Sequence, residues 1–312
     1  MTRRSVMHLR RPQLRGMRTP VVTPQGSARR LAALGILSAA LVAAVWVGTT
    51  GTVAGQQIAD MILYGRAAAD PAVLGAATET LSAVSLAFAA TAALGLFILA
   101  LVRGGFGLAT AVVVLLGGAN LTAEGLKLVL ERPNLLGDVV DATGNSFPSG
   151  HVTIVSSLGL ACVLVMPRRV RTTVVVAAAA LIAAVGVSTM IAGWHRLADV
   201  EGAIFISLAW ASLVAAILVY AQGWMPRRTW GRGLGGPAMR VVGASGAVAV
   251  IAGAIGIIVV GVDPTPLAAL LATQALGPRT FVAALAIAAG TSLIGCAGYV
   301  WALRGVAFEL PG

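Results

Sequence analysis

The chain has 312 residues, of which 58% are hydrophobic and only 11% are charged, and its mean hydropathy is +0.92. An ordinary soluble domain carries roughly 25% charged residues, so this composition excludes one. It predicts an all-α, polytopic integral membrane protein. The formal net charge of +11 could suggest a nucleic-acid partner. However, the basic residues follow the predicted membrane boundaries, so we expect membrane lipids as partners and no nucleic acid.

Apolar runs of roughly 20 residues, each long enough to cross about 30 Å of hydrocarbon, predict about eight transmembrane helices. They cover approximately residues 31–55, 79–102, 105–126, 151–166, 172–193, 200–221, 240–262 and 280–303. The fourth run is short, so we expect its helix to begin inside the membrane face or to lean on its neighbours.

The predicted organisation has three parts. Residues 1–30 contain eight arginines among Pro, Gly, Ser and Thr, which is typical of a disordered basic tail. Residues 31–221 form the main membrane domain, and residues 222–312 add a cytoplasmic loop and two further C-terminal helices. An outer loop at residues 56–78 is predicted to contain a short helix lying on the membrane, lined by Ile58, Met61, Ile62 and Leu63.

The distribution of basic residues predicts a cytoplasmic N-terminus in the plasma membrane. With that orientation, 17 of the 22 basic residues fall on the inner side, as expected from the excess of Lys and Arg in cytoplasmic loops. The five outer ones are Arg66, Lys127, Arg132, Arg196 and Arg279. Three of these lie in, or lead into, the two outer loops that carry His151 and His195. Basic residues that resist the orientation rule indicate a bound anion.

Two polar stretches at the outer ends of apolar segments carry the candidate chemistry. Ser149-Gly150-His151 begins the fourth helix, where unpaired N–H groups and the helix dipole favour a phosphate-like anion. His195 and Asp199 are four residues apart and share a helical face, so the carboxylate can hold the imidazole and leave its other nitrogen as a nucleophile. With nearby Lys and Arg donors, this pattern predicts phosphoryl transfer with no metal and no other cofactor.

These residues resemble the three motifs of the type 2 phosphatidic acid phosphatase superfamily, the lipid phosphate phosphatases. The second motif is complete as Pro148-Ser149-Gly150-His151. The third is present as Ser188-Thr189 followed by His195-Arg196-Leu197-Ala198-Asp199, and the first is partial, from Lys127 to Arg132-Pro133. The resemblance covers about residues 80–220 and implies a six-helix phosphatase-like core within residues 31–221.

The resemblance also implies roles for individual residues. His195 would be the nucleophile that forms a phosphohistidine, Asp199 its partner, and His151 the acid that protonates the leaving oxygen. The implied phosphate-binding residues are Lys127, Arg132, Ser149 and Gly150. From the residues alone, Ser149 and Gly150 could instead form a plain helix cap, and Lys127 could extend to the membrane interface.

Two positions depart from the motifs of the superfamily. The arginine of the first motif is expected seven residues after Lys127, but Arg132 is only five after it and position 134 is Asn. Because a proline follows Arg132 and disfavours helix there, we expect this arginine to reach the site from a loop. In the third motif the expected arginine is Thr189, and Arg196 is the candidate to replace its charge.

The sequence therefore predicts a lipid phosphate or diphosphate phosphatase whose site lies at the outer membrane–water interface. Polyprenyl phosphates or diphosphates, phosphatidylglycerol phosphate and phosphatidate are the substrates that the resemblance implies. One alternative is a phosphotransferase of the same superfamily, which passes the phosphoryl group to an acceptor other than water. Another is a non-catalytic membrane protein that binds lipid phosphates, which Asn134 and Thr189 make credible. The oligomeric state is left open.

Overall fold

The computed structural model describes residues 24–136, 145–221, 235–261 and 277–306. Within those ranges the chain forms nine α-helices and one 3₁₀ turn and no strand, which confirms the all-α prediction. The helices are α1 (Pro24–Thr50), α2 (Val53–Gly65), α3 (Pro71–Ala83), α4 (Leu86–Val129), α5 (Gly150–Val165), α6 (Arg171–Ile191), α7 (Leu197–Ala221), α8 (Gly235–Gly261) and α9 (Gly277–Ala302), and the 3₁₀ turn is Arg66–Ala68.

Six of the described helices are long and apolar enough to cross a membrane, namely α1, α4, α6, α7, α8 and α9. This confirms a polytopic membrane protein. Helix α4 has 44 residues and is interrupted at Gly105, which has a φ of 68°. Glycine adopts positive φ with little steric penalty. Each half of α4 has roughly the length of one span. The predicted count of eight is reached only if these halves and the 16-residue α5 are counted as separate crossings.

Helix α7 lies at the centre of the bundle. Of its 25 residues 18 are buried, and α1, α4, α5 and α9 all pack against it. Many of the buried side chains are Ala, Gly or Ser, which let helices approach closely in lipid. Because α7 is surrounded in this way, the polar residues of its first turn are placed inside the end of the bundle.

The described arginines that are predicted to face the cytoplasm gather at the end of the bundle where α5 finishes and α6 begins, which we call the arginine end. Arg103 donates from Nε to Val165 O at 3.0 Å, and Arg171 donates from Nη1 to Val306 O at 3.0 Å. Arg30 donates from Nη2 to Arg304 O at 3.0 Å. These guanidinium groups satisfy carbonyls at and beyond helix C-termini, where backbone partners run out.

The predicted outer loop at residues 56–78 contains two helices rather than one. Helix α2 packs against α1 and α9, and α3 packs against α6. Met61 and Ile62 of α2 are buried, as are two polar residues one turn apart, Gln56 and Asp60. Helix α2 is therefore part of the bundle, and its backbone at Gly65 comes into contact with Gly277 at the start of α9.

The first helix begins earlier than predicted. Helix α1 starts at Pro24, so residues 24–30 are helical, and the hydroxyl of Ser27 donates to Arg304 O at 3.1 Å. Other predicted features lie outside the described residues: the tail at 1–23, the polar loop with Asp138 and Asp141, the basic loop 222–234, the loop 263–276 and Glu309. The division at residues 30 and 221 stays a prediction.

We expect Gly65→Ala to destabilise the protein by about 1–3 kcal/mol, because a Cβ at Gly65 would meet the backbone of Gly277 and push α2 off α9. Thermal unfolding of the purified protein in detergent measures this. Gly75→Ala in α3 is the matched control, since nothing lies within 4 Å of the added carbon. Equal unfolding midpoints for the two variants would contradict the close contact of α2 with α9.

Candidate active site

Asp199 is the central acceptor of the site. Its Oδ2 lies 3.3 Å from His195 Nδ1, and it accepts hydrogen bonds from Ser146 Oγ at 2.6 Å and from the backbone N–H of Arg196 at 2.9 Å. The carboxylate thereby caps the first turn of α7, where a negative charge is also favoured by the helix dipole. With the Nδ1 proton donated to Asp199, the lone pair on Nε2 of His195 is left for chemistry.

The loop between α6 and α7 presents His195. After α6 ends at Ile191, Thr189 O accepts the backbone N–H groups of Trp194 at 3.0 Å and of His195 at 3.3 Å. Gly193 has a φ of 75°, a conformation that glycine adopts readily and other residues do not. This turn directs the chain from the end of α6 into α7 and brings His195 over the carboxylate.

The loop before α5 is fixed to the same place. Ser149 donates its backbone N–H to Asp199 O at 3.0 Å, and Asn145 Nδ2 donates to Leu130 O at 2.8 Å, which ties the loop to the end of α4. The ring of Phe147 is buried and lies where a side chain at Gly202 would otherwise be. These contacts bring the two polar stretches of the sequence together, although His151 and His195 are 44 positions apart.

The start of α5 has the features of an anion site. Ser149 is the N-cap residue, yet its side chain makes no capping hydrogen bond, and its buried Oγ has no partner among the residues that the structure describes. A Cβ at Gly150 would lie 3.3 Å from Lys127 Nζ, so the ammonium group stands over the backbone at the helix N-terminus. The Ser149 hydroxyl therefore does not make the hydrogen bond that a plain helix cap would make.

Among the described residues, Lys127 forms an ion pair with Glu124. Its Nζ pairs with Glu124 Oε1 at 2.7 Å, but the Glu124 side chain is 64% exposed, so water screens this pair. The lysine side chain itself is 27% exposed. Lys127 belongs to the last turn of α4, and its side chain is directed toward the start of α5. A lysine that only extended to the membrane surface would not make this approach.

His151 stands beside the same opening. It is the second residue of α5, it is half-buried, and its ring centroid is 5.6 Å from that of Trp194. It is also close enough to His195 and Lys127 to interact with both electrostatically. The two histidines thus approach one region from two different helix ends.

Arg132 and Arg196 meet at a residue that the sequence analysis missed, Asp60 of α2. Arg132 Nη2 lies 3.4 Å from Asp60 Oδ1, and Arg196 Nε and Nη2 each lie 3.2 Å from the same oxygen. Arg132 follows the end of α4 and is in a loop, where burial and the charge of Arg196 lower its pKa while Asp60 and Asp199 raise it. The sequence did contain a signal, since Asp60 is a carboxylate inside an otherwise apolar run.

The two departures from the superfamily motifs have different outcomes. Thr189 is buried, and its hydroxyl donates to Gly186 O at 2.7 Å, so this side chain is turned to its own helix. Asn134 is exposed. Neither residue takes the place of an arginine, whereas Arg132 and Arg196 come together near Asp199. Ser146, the second residue missed from sequence, adds a donor to the Asp199 carboxylate.

All eight residues predicted for the site lie at one end of the bundle, which we call the motif end. His195, Asp199, Arg132 and Arg196 form one group, and the start of α5 with Lys127 forms the other; the Ser149–Asp199 backbone hydrogen bond joins them. Among the described residues no three His, Cys, Asp or Glu side chains gather as potential metal ligands. Metal independence stays a prediction.

Comparison with known proteins gives one match. Residues 105–223 match the family model described as PAP2 superfamily, and this segment contains the residues quoted above for all three motifs. No curated protein and no solved structure matches the chain. The matched segment agrees with the resemblance predicted over residues 80–220 and supports membership of the type 2 phosphatidic acid phosphatase superfamily.

Proposed function

We propose that this protein is a lipid phosphate or diphosphate phosphatase that works through a phosphohistidine on His195. Membership of the PAP2 superfamily supports phosphatase-type activity in general. The observation that carries the finer proposal is the buried Asp199 carboxylate, which holds His195 Nδ1 at 3.3 Å while Ser146 and the Arg196 N–H occupy the same oxygen. A histidine oriented in this way is an activated nucleophile.

In the first step, Nε2 of His195 attacks the phosphorus of the substrate. A P–N bond forms as the P–O bond to the lipid breaks, and the leaving oxygen takes a proton from the protonated imidazole of His151. The imidazolium that develops on His195 is stabilised by Asp199, whose side chain is only 5% exposed. A carboxylate in such a place stabilises positive charge more strongly than it would in water.

In the second step, water attacks the phosphohistidine. The neutral His151 takes a proton from this water, the P–N bond breaks, and inorganic phosphate is released with His195 restored. One residue acting first as acid and then as base returns the site to its starting protonation state. His151 can serve both steps because its ring faces the same region as His195 from the start of α5.

The cationic groups supply the stabilisation that phosphoryl transfer requires. Charge on the transferred group spreads over three oxygens, and catalysis consists largely of holding these oxygens in position. The N-terminus of α5, with the unpaired Ser149 hydroxyl and with Lys127 above Gly150, provides one set of donors. Arg132 and Arg196 provide a second set near His195. Together they support binding of phosphate from two sides.

A lipid carries the phosphate in this proposal. The site lies at the end of a bundle of helices long and apolar enough to cross a membrane, so we expect it near the lipid headgroups. The class of substrate is therefore a phosphomonoester or a diphosphate on a membrane lipid, such as a polyprenyl phosphate or phosphatidate. The charge distribution supports a cytoplasmic arginine end, and hence a motif end on the outer face of the plasma membrane.

A non-catalytic lipid-phosphate binder is the second candidate. It is favoured by Thr189, which stands where the superfamily motif has an arginine. The Thr189 side chain is uncharged and is hydrogen-bonded within α6. A phosphotransferase differs from the phosphatase only in the acceptor of the second step. Product analysis with sugar and lipid acceptors separates these two enzymes.

We expect His195→Ala to lower phosphate release by about 10³-fold or more, because it removes the atom that bonds to phosphorus. The measurement is phosphate release from a panel of lipid phosphates in mixed micelles. His8→Ala is the matched control, since it removes the one histidine outside the two motifs. We also expect a chelator to leave the rate unchanged and vanadate to inhibit. Lipid-phosphate binding without His195-dependent release would instead support the non-catalytic binder.

We expect Ser146→Ala to lower kcat about five- to tenfold, because the Asp199 carboxylate loses a hydrogen bond of 2.6 Å and holds His195 less firmly. Steady-state kinetics on the best substrate of the panel measure this effect. Ser82→Ala is the control, since its hydroxyl donates only to Glu79 O within α3. Wild-type kcat in Ser146→Ala would show that this donor does not support His195.

The proposed orientation predicts the labelling of two introduced cysteines in a Cys162→Ala/Cys296→Ala background. Leu135→Cys follows α4 at the motif end, and Val170→Cys lies between α5 and α6 at the arginine end; the native side chains are 38% and 42% exposed. We expect a membrane-impermeant maleimide to label the first in intact cells and the second only after permeabilisation. The reverse pattern would place the site in the cytoplasm.

A further inference from the structure

An element outside the family-matched residues 105–223 contacts the loops that carry the site. Helix α2 and its following turn, residues 53–68, reach the loop after α4 through Gln56, whose Nε2 donates to Pro133 O at 2.6 Å. They reach the loop after α6 through Arg66, whose Nη1 lies 3.5 Å from Ala192 O and whose guanidinium covers Gly193. Asp60 lies between these two residues on the chain and contacts both arginines of the site.

Asp60 holds two guanidinium groups with one oxygen. Arg132 and Arg196 come from different loops, and both approach Oδ1, at 3.4 Å and 3.2 Å. The side chains are nearly closed to water, with exposures of 1% for Asp60, 8% for Arg132 and 14% for Arg196. Like charges in such surroundings repel strongly unless an anion lies between them. Removal of this carboxylate would therefore drive the two arginines apart.

The pairing leaves donors for a further anion. A guanidinium group has five N–H donors, and Arg132 Nε is buried without a partner among the described residues. Arg196 meets Asp60 only through Nε and Nη2, so its Nη1 is not used in this pair. Asp60 therefore holds one side of each guanidinium group, and the remaining N–H donors can bind phosphate.

We propose that Asp60 is a positioning residue that fixes Arg132 and Arg196 toward the phosphate of the substrate, so that these two arginines provide the charge missing at positions 134 and 189. The proposal rests on the proposed function in so far as phosphate is the ligand. It makes α2 a part of the site, although α2 lies outside the matched segment.

Simple docking of α2 does not need this carboxylate. The neutral amide of Gln56 already ties α2 to the loop after α4, since it donates to Pro133 O and accepts from Leu135 N at 3.3 Å. The backbone contact of Gly65 with Gly277 ties α2 to α9. An aspartate buried between two arginines adds a charge arrangement that neither of these contacts supplies.

The test uses the full-length protein and two readouts, kcat on the best lipid phosphate and the concentration of orthovanadate that half-maximally stabilises the protein against heat. We expect Asp60→Asn to lower kcat on the order of 10- to 100-fold, because misplaced donors no longer match the pentacoordinate phosphorus. We also expect about tenfold more vanadate to be needed for the same stabilisation, since the stabilisation depends on the ratio of the free vanadate concentration to its Kd. Asp70→Asn is the matched control, because Asp70 caps α3 through Ala72 N and is exposed.

A second variant covers the case in which Asp60→Asn does not fold. Asp60→Glu keeps the charge and moves it by one methylene, and we expect a folded protein with a weaker vanadate response and a lower kcat than wild type. A double-mutant cycle with Arg196→Ala provides a readout that a merely structural role would not give. If Asp60 acts through Arg196, adding Asp60→Asn to Arg196→Ala costs much less than it does in the wild type.

The outcomes separate this inference from the proposed function. Wild-type vanadate response in both Asp60 variants, or fully additive losses in the cycle, would overturn the role of Asp60 even in an active phosphatase. If the wild-type protein showed no phosphate release that depends on His195, the proposed phosphatase function would be overturned instead. In that case the vanadate readout still decides whether Asp60 positions the arginines for an anion.

Discussion

The rest of the structure at the motif end depends on the buried carboxylate of Asp199. A negative charge removed from water costs several kcal/mol unless it is paired and hydrogen-bonded. Here the donors come from the loop before α5 and from the α6–α7 loop, while the carboxylate itself belongs to the first turn of α7. Satisfying one carboxylate therefore forces three parts of the chain into one place. The orientation of His195 is a consequence of the same requirement.

The second carboxylate, Asp60, solves a different problem. A site for phosphate needs several cations close together, and these cations repel one another while the site is empty. Asp60 lies between Arg132 and Arg196 and leaves part of each guanidinium unused. The two acids are thus complementary: Asp199 holds His195, and Asp60 lies between Arg132 and Arg196. Both are supplied by helices that pack tightly at the motif end, which is how α2 becomes relevant to the chemistry.

The fold was predictable because a membrane imposes simple constraints on length and polarity. Apolar runs of about 20 residues located the main helices, including both halves of α4, and the clustering of arginines identified one end of the bundle. The boundaries differ from the prediction where contacts between distant segments decide. Helix α1 begins at Pro24 because Ser27 and Arg30 bind the carbonyl of Arg304, which is remote in sequence. Likewise, α2 is integrated into the bundle because glycines at 65 and 277 permit backbone contact.

The sequence by itself determined the chemical types available at the site and their local spacing. The His195–Asp199 interval keeps the two side chains close at the start of α7, although His195 lies in the loop before the helix and not on its face. Ser149-Gly150-His151 at a helix start favours an anion, and both features are local to one segment of the chain. Only the tertiary structure decided which residues from distant segments meet. It brought Ser146 to Asp199, turned Thr189 away, and joined Arg132 and Arg196 through Asp60. Such pairings depend on how the helices pack and on the need to neutralise buried charge, and no local pattern in the chain encodes them.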